Sequence, residues 1–598
     1  MKKSKQKSGS HYSLSLAAIF NRVKKKRPAR MALRSVGFRR ATAVDDSTEV
    51  RKKDLVSLIV KLDGVDEIES LNLSDPEKMI ALGGDRYSML LTIGNAQRLV
   101  KLRSASKIQT KKEKRHLLKR ATKEIGLRTS LTGDRVVPET GKGVLVGIID
   151  SGFDLKHPMF YDKDGNLRVK KLLDQTKDDS VYTKSELEAA WEGNSNPDGP
   201  GGDDDGHGTH VATIAGGSKF RGHEGVAPEA EFLLVKTNMI DTDEAAAWIF
   251  AEAGNKPCVI NMSLGHHFGG HDGSDMEEQL HEELVGPGKI IVVAAGNERQ
   301  DNIHIGGRFV PEQEETIPFD VANQGSLEAP FAALIFWYDS CDEFDFELLT
   351  PTGQSLKVPG PGSTQNYSNS KVDVDLGHAS GAGSGGIYSK VQVELHFSSA
   401  GVSRAARSNW KIKARCKSAE IGRLDGWFHN SGFGEFKNHD FIETSRTLGM
   451  PATGRSCVAV ASHVSLNEWK SDEGDQSDTD VLVGRTSPFS SKGPTRDGRQ
   501  KPDISAPGQY LVAGLAGDSD SATYTERVIV AKKLAAFEGT SMAAPIVAGV
   551  VALMLEKDKN LTPEDVVEQL RDNAVVDDHT GVTWSPIYGF GKLRIELD

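Results

Sequence analysis

Four stretches of this chain are almost wholly apolar where a half-buried strand would alternate. They are Val144-Leu145-Val146-Gly147-Ile148-Ile149, Cys258-Val259-Ile260-Asn261-Met262, Ile290-Ile291-Val292-Val293-Ala294-Ala295 and Cys457-Val458-Ala459-Val460-Ala461-Ser462. A strand of this kind must be covered on both faces, which points to a parallel sheet flanked by helices. Residues 232–235 form a fifth such run, and a helical stretch at 243–253 separates it from the Cys258 run. This strand–helix alternation predicts an α/β fold. Sites in such folds lie beyond the carboxyl ends of the strands. There stand Asp150-Ser151-Gly152, Ser263-Leu264-Gly265 and Gly296-Asn297. Taken alone, Asp150 reads equally well as an Asx turn closing a strand.

Two further stretches carry chemistry. Glu538-Gly539-Thr540-Ser541-Met542-Ala543-Ala544-Pro545 runs into an Ala- and Gly-rich apolar segment ending at Leu555. It predicts a buried helix with Ser541 at its N-terminal end, where unsatisfied N–H groups and the positive end of the dipole gather. A lone serine there is most often a cap. In Asp203-Asp204-Asp205-Gly206-His207-Gly208-Thr209-His210, two glycines bracket His207 at a helix start, a suitable place for a general base. The pair His207 and His210 lacks a carboxylate or cysteine at zinc-type spacing, so no metal ligand is assigned and His210 is read as structural. Asn297, at a strand end, can donate its side-chain amide to an oxyanion. The acidic run 203–205 reads as a solvated loop, with a preference for basic substrate residues as the alternative.

At 598 residues the chain has room for several domains. Residues 1–44 hold 13 Lys and Arg and no Asp or Glu, against a net charge of −10 for the whole chain. Residues 1–49 are therefore read as a basic, solvated leader. A tether to nucleic acid or membrane is its competing reading, and no nucleic-acid partner is expected. The leader has no convincing signal-peptide pattern, and no transmembrane segment is expected. Cys258, Cys341, Cys416 and Cys457 show neither zinc nor disulfide spacing, so a cytoplasmic location is slightly favoured over secretion. Residues 50–110 suggest three strands, at 55–62, 79–82 and 86–93, and a helix at 96–102, a small α+β unit. Residues 111–135 read as a basic linker. The stretch 161–206 reads as surface excursions. Short alternating runs and Gly/Pro turns across 301–448 predict an inserted all-β sandwich, with Phe336-Trp337-Tyr338 and Trp427-Phe428 in its core. The α/β body would then comprise 136–300 and 449–598.

Asp150, His207, Asn297 and Ser541 together supply an orienting acid, a base, an oxyanion donor and a nucleophile. In this order, and with the motifs Asp150-Ser151-Gly152, His207-Gly208-Thr209-His210-Val211-Ala212, Ala294-Ala295-Gly296-Asn297 and Gly539-Thr540-Ser541-Met542-Ala543-Ala544-Pro545, the chain resembles the subtilisin-like serine proteases. The resemblance implies a serine endopeptidase acting through an acyl-enzyme, with Asp150, His207 and Ser541 catalytic and Asn297 in the oxyanion hole. It implies that Ser263, Leu264, Gly265, Ala294, Ala295 and Gly296 bind a protein or peptide substrate. The pocket floor is unassigned, because the β insert follows Asn297. By the same resemblance residues 50–110 are a prodomain, an intramolecular inhibitor removed by self-processing, and the insert is similar to the jelly roll of clostridial Csp-type proteases. No cofactor is implied for the chemistry; structural calcium is compatible, but no ligand set is assignable. The competing function is a non-catalytic binding or signalling protein on this fold. A serine esterase on another scaffold is opposed by Thr540-Ser541-Met542, which departs from a Gly-x-Ser-x-Gly elbow, and by the early His207.

Overall fold

A computed structural model gives the architecture. It describes residues 137–595 apart from 193–199, 323–330, 384–385, 399–406, 430–433, 530–531 and 582. Before residue 137 it describes 11–12, 38–39, 55–62, 71–73, 78–83, 86–102, 105–110, 115–116 and 125–127.

The apolar runs become the centre of an eight-stranded sheet. Its order is Ser180–Thr183, Val169–Asp174, Glu231–Lys236, Leu145–Asp150, Cys258–Met262, Lys289–Ala294, Val458–Val464, Ile504–Gln509. All neighbours are parallel except the first pair. Leu145–Asp150 has later strands on both sides, so the chain reverses its winding there, and Asp150 closes that strand at the switch point. The edge strands Val169–Asp174 and Ser180–Thr183 correct the reading of 161–206 as surface excursion. Their lysines and serines suit the rim of a sheet, where one flank faces water, and they hide the strand pattern.

Thr540–Lys557 is a helix buried along nearly its whole length. It packs across Cys258–Met262, Lys289–Ala294, Val458–Val464 and Ile504–Gln509, and against the helix His207–Gly216. Among the described residues it is the one helix long and apolar enough to cross a membrane, and 89% of its apolar window is buried in the body.

Residues between 304 and 436 form two antiparallel sheets. Six strands run His304–Arg308, Arg423–Phe428, Phe331–Asp339, Tyr388–Phe397, Val372–Ala382, Ser363–Ser368. Five run Ser355–Lys357, Glu343–Leu349, Trp410–Ser418, Glu314–Val321, Gly434–Phe436. Phe336, Phe346, Trp410, Phe428 and Phe436 fill the space between them. Glu343–Leu349 alternates buried and less buried residues, as a one-faced strand should, whereas Phe331–Asp339 is buried on both faces.

Near the N-terminus, Leu55–Leu62, Lys78–Gly83, Arg86–Thr92 and Ala105–Thr110 form a sheet beside the helix Ile93–Leu99. That helix begins three residues before its expected start, because Thr92 Oγ1 accepts the Asn95 N–H and caps it there. Two short pieces of the leader join the sheet: His11–Tyr12 beside Ala105–Thr110 and Phe38–Arg39 beside Leu55–Leu62. The remainder of the leader lies outside the described residues. Lys78–Gly83 rests on the helices Thr242–Ala253 and Met276–Leu284. Beyond this sheet, Arg115–His116, within the stretch read as linker, pairs antiparallel with Leu264–Gly265. Backbone pairing needs no side-chain pattern, which is why composition indicated only a linker.

Candidate active site

The acid and the base meet where a strand end faces a helix start. Asp150 closes its strand, and His207 is the first residue of the helix His207–Gly216. Close approach requires Gly208: a Cβ there would stand 2.2 Å from the Gly152 carbonyl and 3.1 Å from the Asp150 side chain. The result is an Asp150 Oδ1 to His207 Nδ1 hydrogen bond of 2.7 Å between two fully buried side chains. Burial pulls the imidazole toward the neutral form. The charge of Asp150 and its hydrogen bond, with Asp205 and Asp203 adding, outweigh that and raise the His207 pKa above its ordinary value.

Asp203 is placed differently from its expected role in a solvated loop. It is 8% exposed and caps the His207 helix, accepting the N–H groups of Gly206 and Thr209 at 2.9 Å each. It also accepts the Ser151 hydroxyl at 2.9 Å, and Ser151 Oγ in turn accepts the Gly208 N–H. Strand end and helix start are thus tied together through Ser151, next to Asp150. Burial, opposed by those hydrogen bonds and aided by the nearby Asp150, pushes the Asp203 carboxyl up to about 6. Only Asp204 of the three is strongly exposed, with its side chain 84% accessible. His210 turns away from His207: its Nε2 meets the Ala535 carbonyl at 3.0 Å, and its ring stacks on Phe537.

Ser541 is the second residue of its helix. The residue before the helix, Gly539, has φ 148°, a conformation that L side chains rarely adopt. Pro545 has no N–H to give the Ser541 carbonyl four residues earlier. Ser263 Oγ bonds that carbonyl instead at 2.8 Å, while itself accepting the Asn261 amide at 3.0 Å. Ser541 Oγ donates to the Ser263 carbonyl at 3.4 Å. The serine is therefore held against the end of the Cys258–Met262 strand at both its hydroxyl and its carbonyl.

Asn297 is oriented by the residue before the serine. Its Oδ1 accepts the Thr540 N–H at 2.9 Å and the Thr540 hydroxyl at 3.1 Å. This commits the oxygen and makes the amide nitrogen the donating end. Ser263, Leu264, Gly265 and Ala294, Ala295, Gly296 lie at the ends of adjacent parallel strands. Gly296 N–H is held by Thr540 Oγ1 at 3.1 Å. The chain returning from the β-sandwich completes this wall: Gly449 N–H bonds the Ala295 carbonyl at 2.9 Å, and Met450 pairs with His266. The segment 448–450 thus lies directly against the ends of both strands.

Glu298 was also missed. It is 1% exposed, accepts the Asn297 N–H at 2.6 Å and the Ser491 hydroxyl at 3.0 Å, and fixes the loop that carries Asn297. Its only sequence signal is a charge directly after Gly296-Asn297, and its partner lies 193 residues away. His267 stands 3.7 Å from Glu298 and begins a stack with His271, Trp427 and His304 that joins the body to the β-sandwich. Trp427 is thus buried, as expected, but at a domain junction.

AprX, a serine protease of Bacillus subtilis, is 32% identical over 152 residues, covering 25% of this chain and 31% of its own length. The C5a peptidase of Streptococcus pyogenes is 25% identical over 449 residues, 71% of this chain and 36% of that protein. The chain therefore spans about a third of each relative. The CspB protease structure from Clostridium perfringens superimposes with a TM-score of 0.61 at 25% identity, covering 76% of this chain and 92% of that one. The model of the subtilase family matches residues 141–333 and 430–591, on either side of most of the β-sandwich and through every motif quoted above. With more than half of its length matched, the chain belongs to the subtilase family.

Proposed function

We propose that the chain is a serine endopeptidase that hydrolyses peptide bonds through an acyl-enzyme. The observation that carries this reading is the buried 2.7 Å bond between Asp150 and His207, in a body that presents Ser541 at the N-terminus of the helix packed against theirs. Ser541 Oγ attacks the substrate carbonyl and His207 Nε2 takes its proton, later returning it to the leaving amine. Asp150, bonded to Nδ1, holds the tautomer with Nε2 as acceptor and stabilises the imidazolium. The oxyanion receives hydrogen bonds from the Asn297 amide and the Ser541 N–H, both held rigid before substrate arrives. Substrate runs antiparallel to Leu264–Gly265 and against 294–296.

The zymogen reading rests on the partner that Leu264–Gly265 already has. Arg115–His116 lies antiparallel to it, joining the N-terminal unit to the cleft as a substrate-like strand. Residues 50–110 act as an intramolecular inhibitor, seated on the helices Thr242–Ala253 and Met276–Leu284. Self-cleavage falls in the basic stretch 111–135. Purified full-length protein should shorten with time, and Ser541→Ala should persist as one full-length species. Processing of the purified variant would overturn self-cleavage. Failure of the processed wild type to cut any member of a peptide library would overturn the peptidase reading itself.

A further inference from the structure

Two residues beyond the Leu264–Gly265 strand stands His267, which has no part in the chemistry described above. It is 1% exposed, and neither of its ring nitrogens has a hydrogen-bond partner among the described residues. A neutral imidazole carries an N–H on one of the two, and burying that donor unpaired is costly. Packing alone would be served better by an apolar ring. The acceptor that His267 faces is Glu298: Nε2 stands 3.7 Å from Oε2 of that carboxylate, itself 1% exposed.

Glu298 Oε2 is the atom that holds the oxyanion loop. It accepts the Asn297 N–H at 2.6 Å and the Ser491 hydroxyl at 3.0 Å. The separation from His267 is a little too long for a hydrogen bond. Hydrogen bonds of an active site are often long in the empty enzyme and tighten in the substrate or transition-state complex.

His267 is itself fixed by the β-sandwich. Its backbone N–H bonds the His429 carbonyl at 2.8 Å. Its ring stacks on His271 with centroids 5.0 Å apart, and His271 stacks on Trp427 at 4.1 Å. His304 stacks on the same indole at 4.6 Å, and its Nε2 meets Asp425 Oδ1 at 3.2 Å. The stack sets the plane of the His267 ring and the backbone bond sets its base. The distance from Nε2 to Glu298 is therefore controlled from the insert.

We propose that His267 is a positioning residue of the oxyanion hole. In the substrate-loaded enzyme its Nε2–H donates to Glu298 Oε2, which pins the Asn297 N–H, while the β-sandwich holds His267 in place. Resting on the peptidase reading, this gives the insert a share in turnover that passes through Asn297.

The test compares processed wild type with two variants on the best-cut peptide of the library. His267→Phe keeps a ring for the stack and removes the donor. His267→Gln places an amide nitrogen about as far from the backbone as Nε2. His267→Phe should lower kcat by roughly 10-fold with KM unchanged, a fraction of the loss on the order of 10²–10³ for the donor itself. His267→Gln should restore most of that turnover. In an Asn297→Ala background, His267→Phe should cost less than about twofold, because its effect passes through a donor already gone. A merely structural role would keep its full cost there. Near-UV circular dichroism reports whether each variant folds. Independently of the variants, a crystal structure of processed wild type with a peptide boronic acid on Ser541 should bring Nε2 to about 2.7–3.2 Å from Oε2. An unchanged kcat in folded His267→Phe, a loss carried by KM, or a full loss in the Asn297→Ala background would each overturn the proposal. So would a separation still at 3.7 Å in the boronate complex. Cleavage of no peptide by the wild type would instead overturn the peptidase reading, and the role of His267 with it.

Discussion

Two of the chain's buried arrangements of histidine and carboxylate are built differently. Asp150 and His207 form a one-to-one pair at 2.7 Å, made where a parallel strand ends and a helix begins. In the insert, His396 sits nearly equidistant from Asp375 and Glu394, at 3.4 and 3.3 Å, and the spacing is set by lateral register between two antiparallel strands. The first geometry localises a proton on Nδ1 and leaves the ring's other nitrogen for chemistry. The second turns the ring's Nε2 toward two acids and leaves that nitrogen no approach for a substrate. Residue type alone does not distinguish a proton-handling pair from a structural cluster; which ring nitrogen meets the acid and how many acids face one imidazole do.

The largest separation between the two regions should come from Asn297→Ala. It removes the oxyanion donor and leaves the Asp150–His207 pair intact, so kcat should fall on the order of 10²–10³ with little change in KM, a magnitude taken from subtilisin itself. Steady-state kinetics of the processed enzyme check it, and near-UV circular dichroism of the insert's aromatic core should be unchanged.

A second difference is in pH. His207 works as a base only when neutral, and its pKa is raised. Activity should therefore be lost as pH falls through a value above the usual 6.5 of histidine. In Asp150→Asn the residual activity should keep its acid limb at lower pH, because the charge that raises the pKa is gone. An acid limb that stayed in place in that variant would break the pairing argument.

Smaller effects are expected from the supports. Ser263→Ala leaves the buried Ser541 carbonyl without the hydroxyl that replaces the missing Pro545 N–H, and should cost about 1–3 kcal/mol in chemical denaturation. Asp203→Ala removes the cap of the His207 helix and should cost roughly 0.5–2 kcal/mol.

Much of the body was legible because its strands are almost wholly apolar runs and its site residues stand at their ends. Asp150, Ser263 and Asn297 each follow such a run, and His207 and Ser541 each open a helix beside a glycine. What escaped lacks a local pattern. Val169–Asp174 sits near the sheet's edge and keeps two lysines. Arg115–His116 joins Leu264–Gly265 by strand pairing, which needs no side-chain pattern. Glu298 and Ser491 meet across the whole insert. Asp375 and Glu394 become neighbours only through strand register, so no spacing motif announces them. The acidic run showed charge but not burial, and Asp203 proved to be a cap.

The central claim is that Ser541 is a nucleophile activated by His207 and Asp150. A fluorophosphonate probe, with the labelled residue mapped by mass spectrometry, tests it most directly. Label should be found on Ser541 alone, be absent in Ser541→Ala and form far more slowly in His207→Ala. Absence of label from the folded, processed wild type, or label on a different serine, would contradict the account.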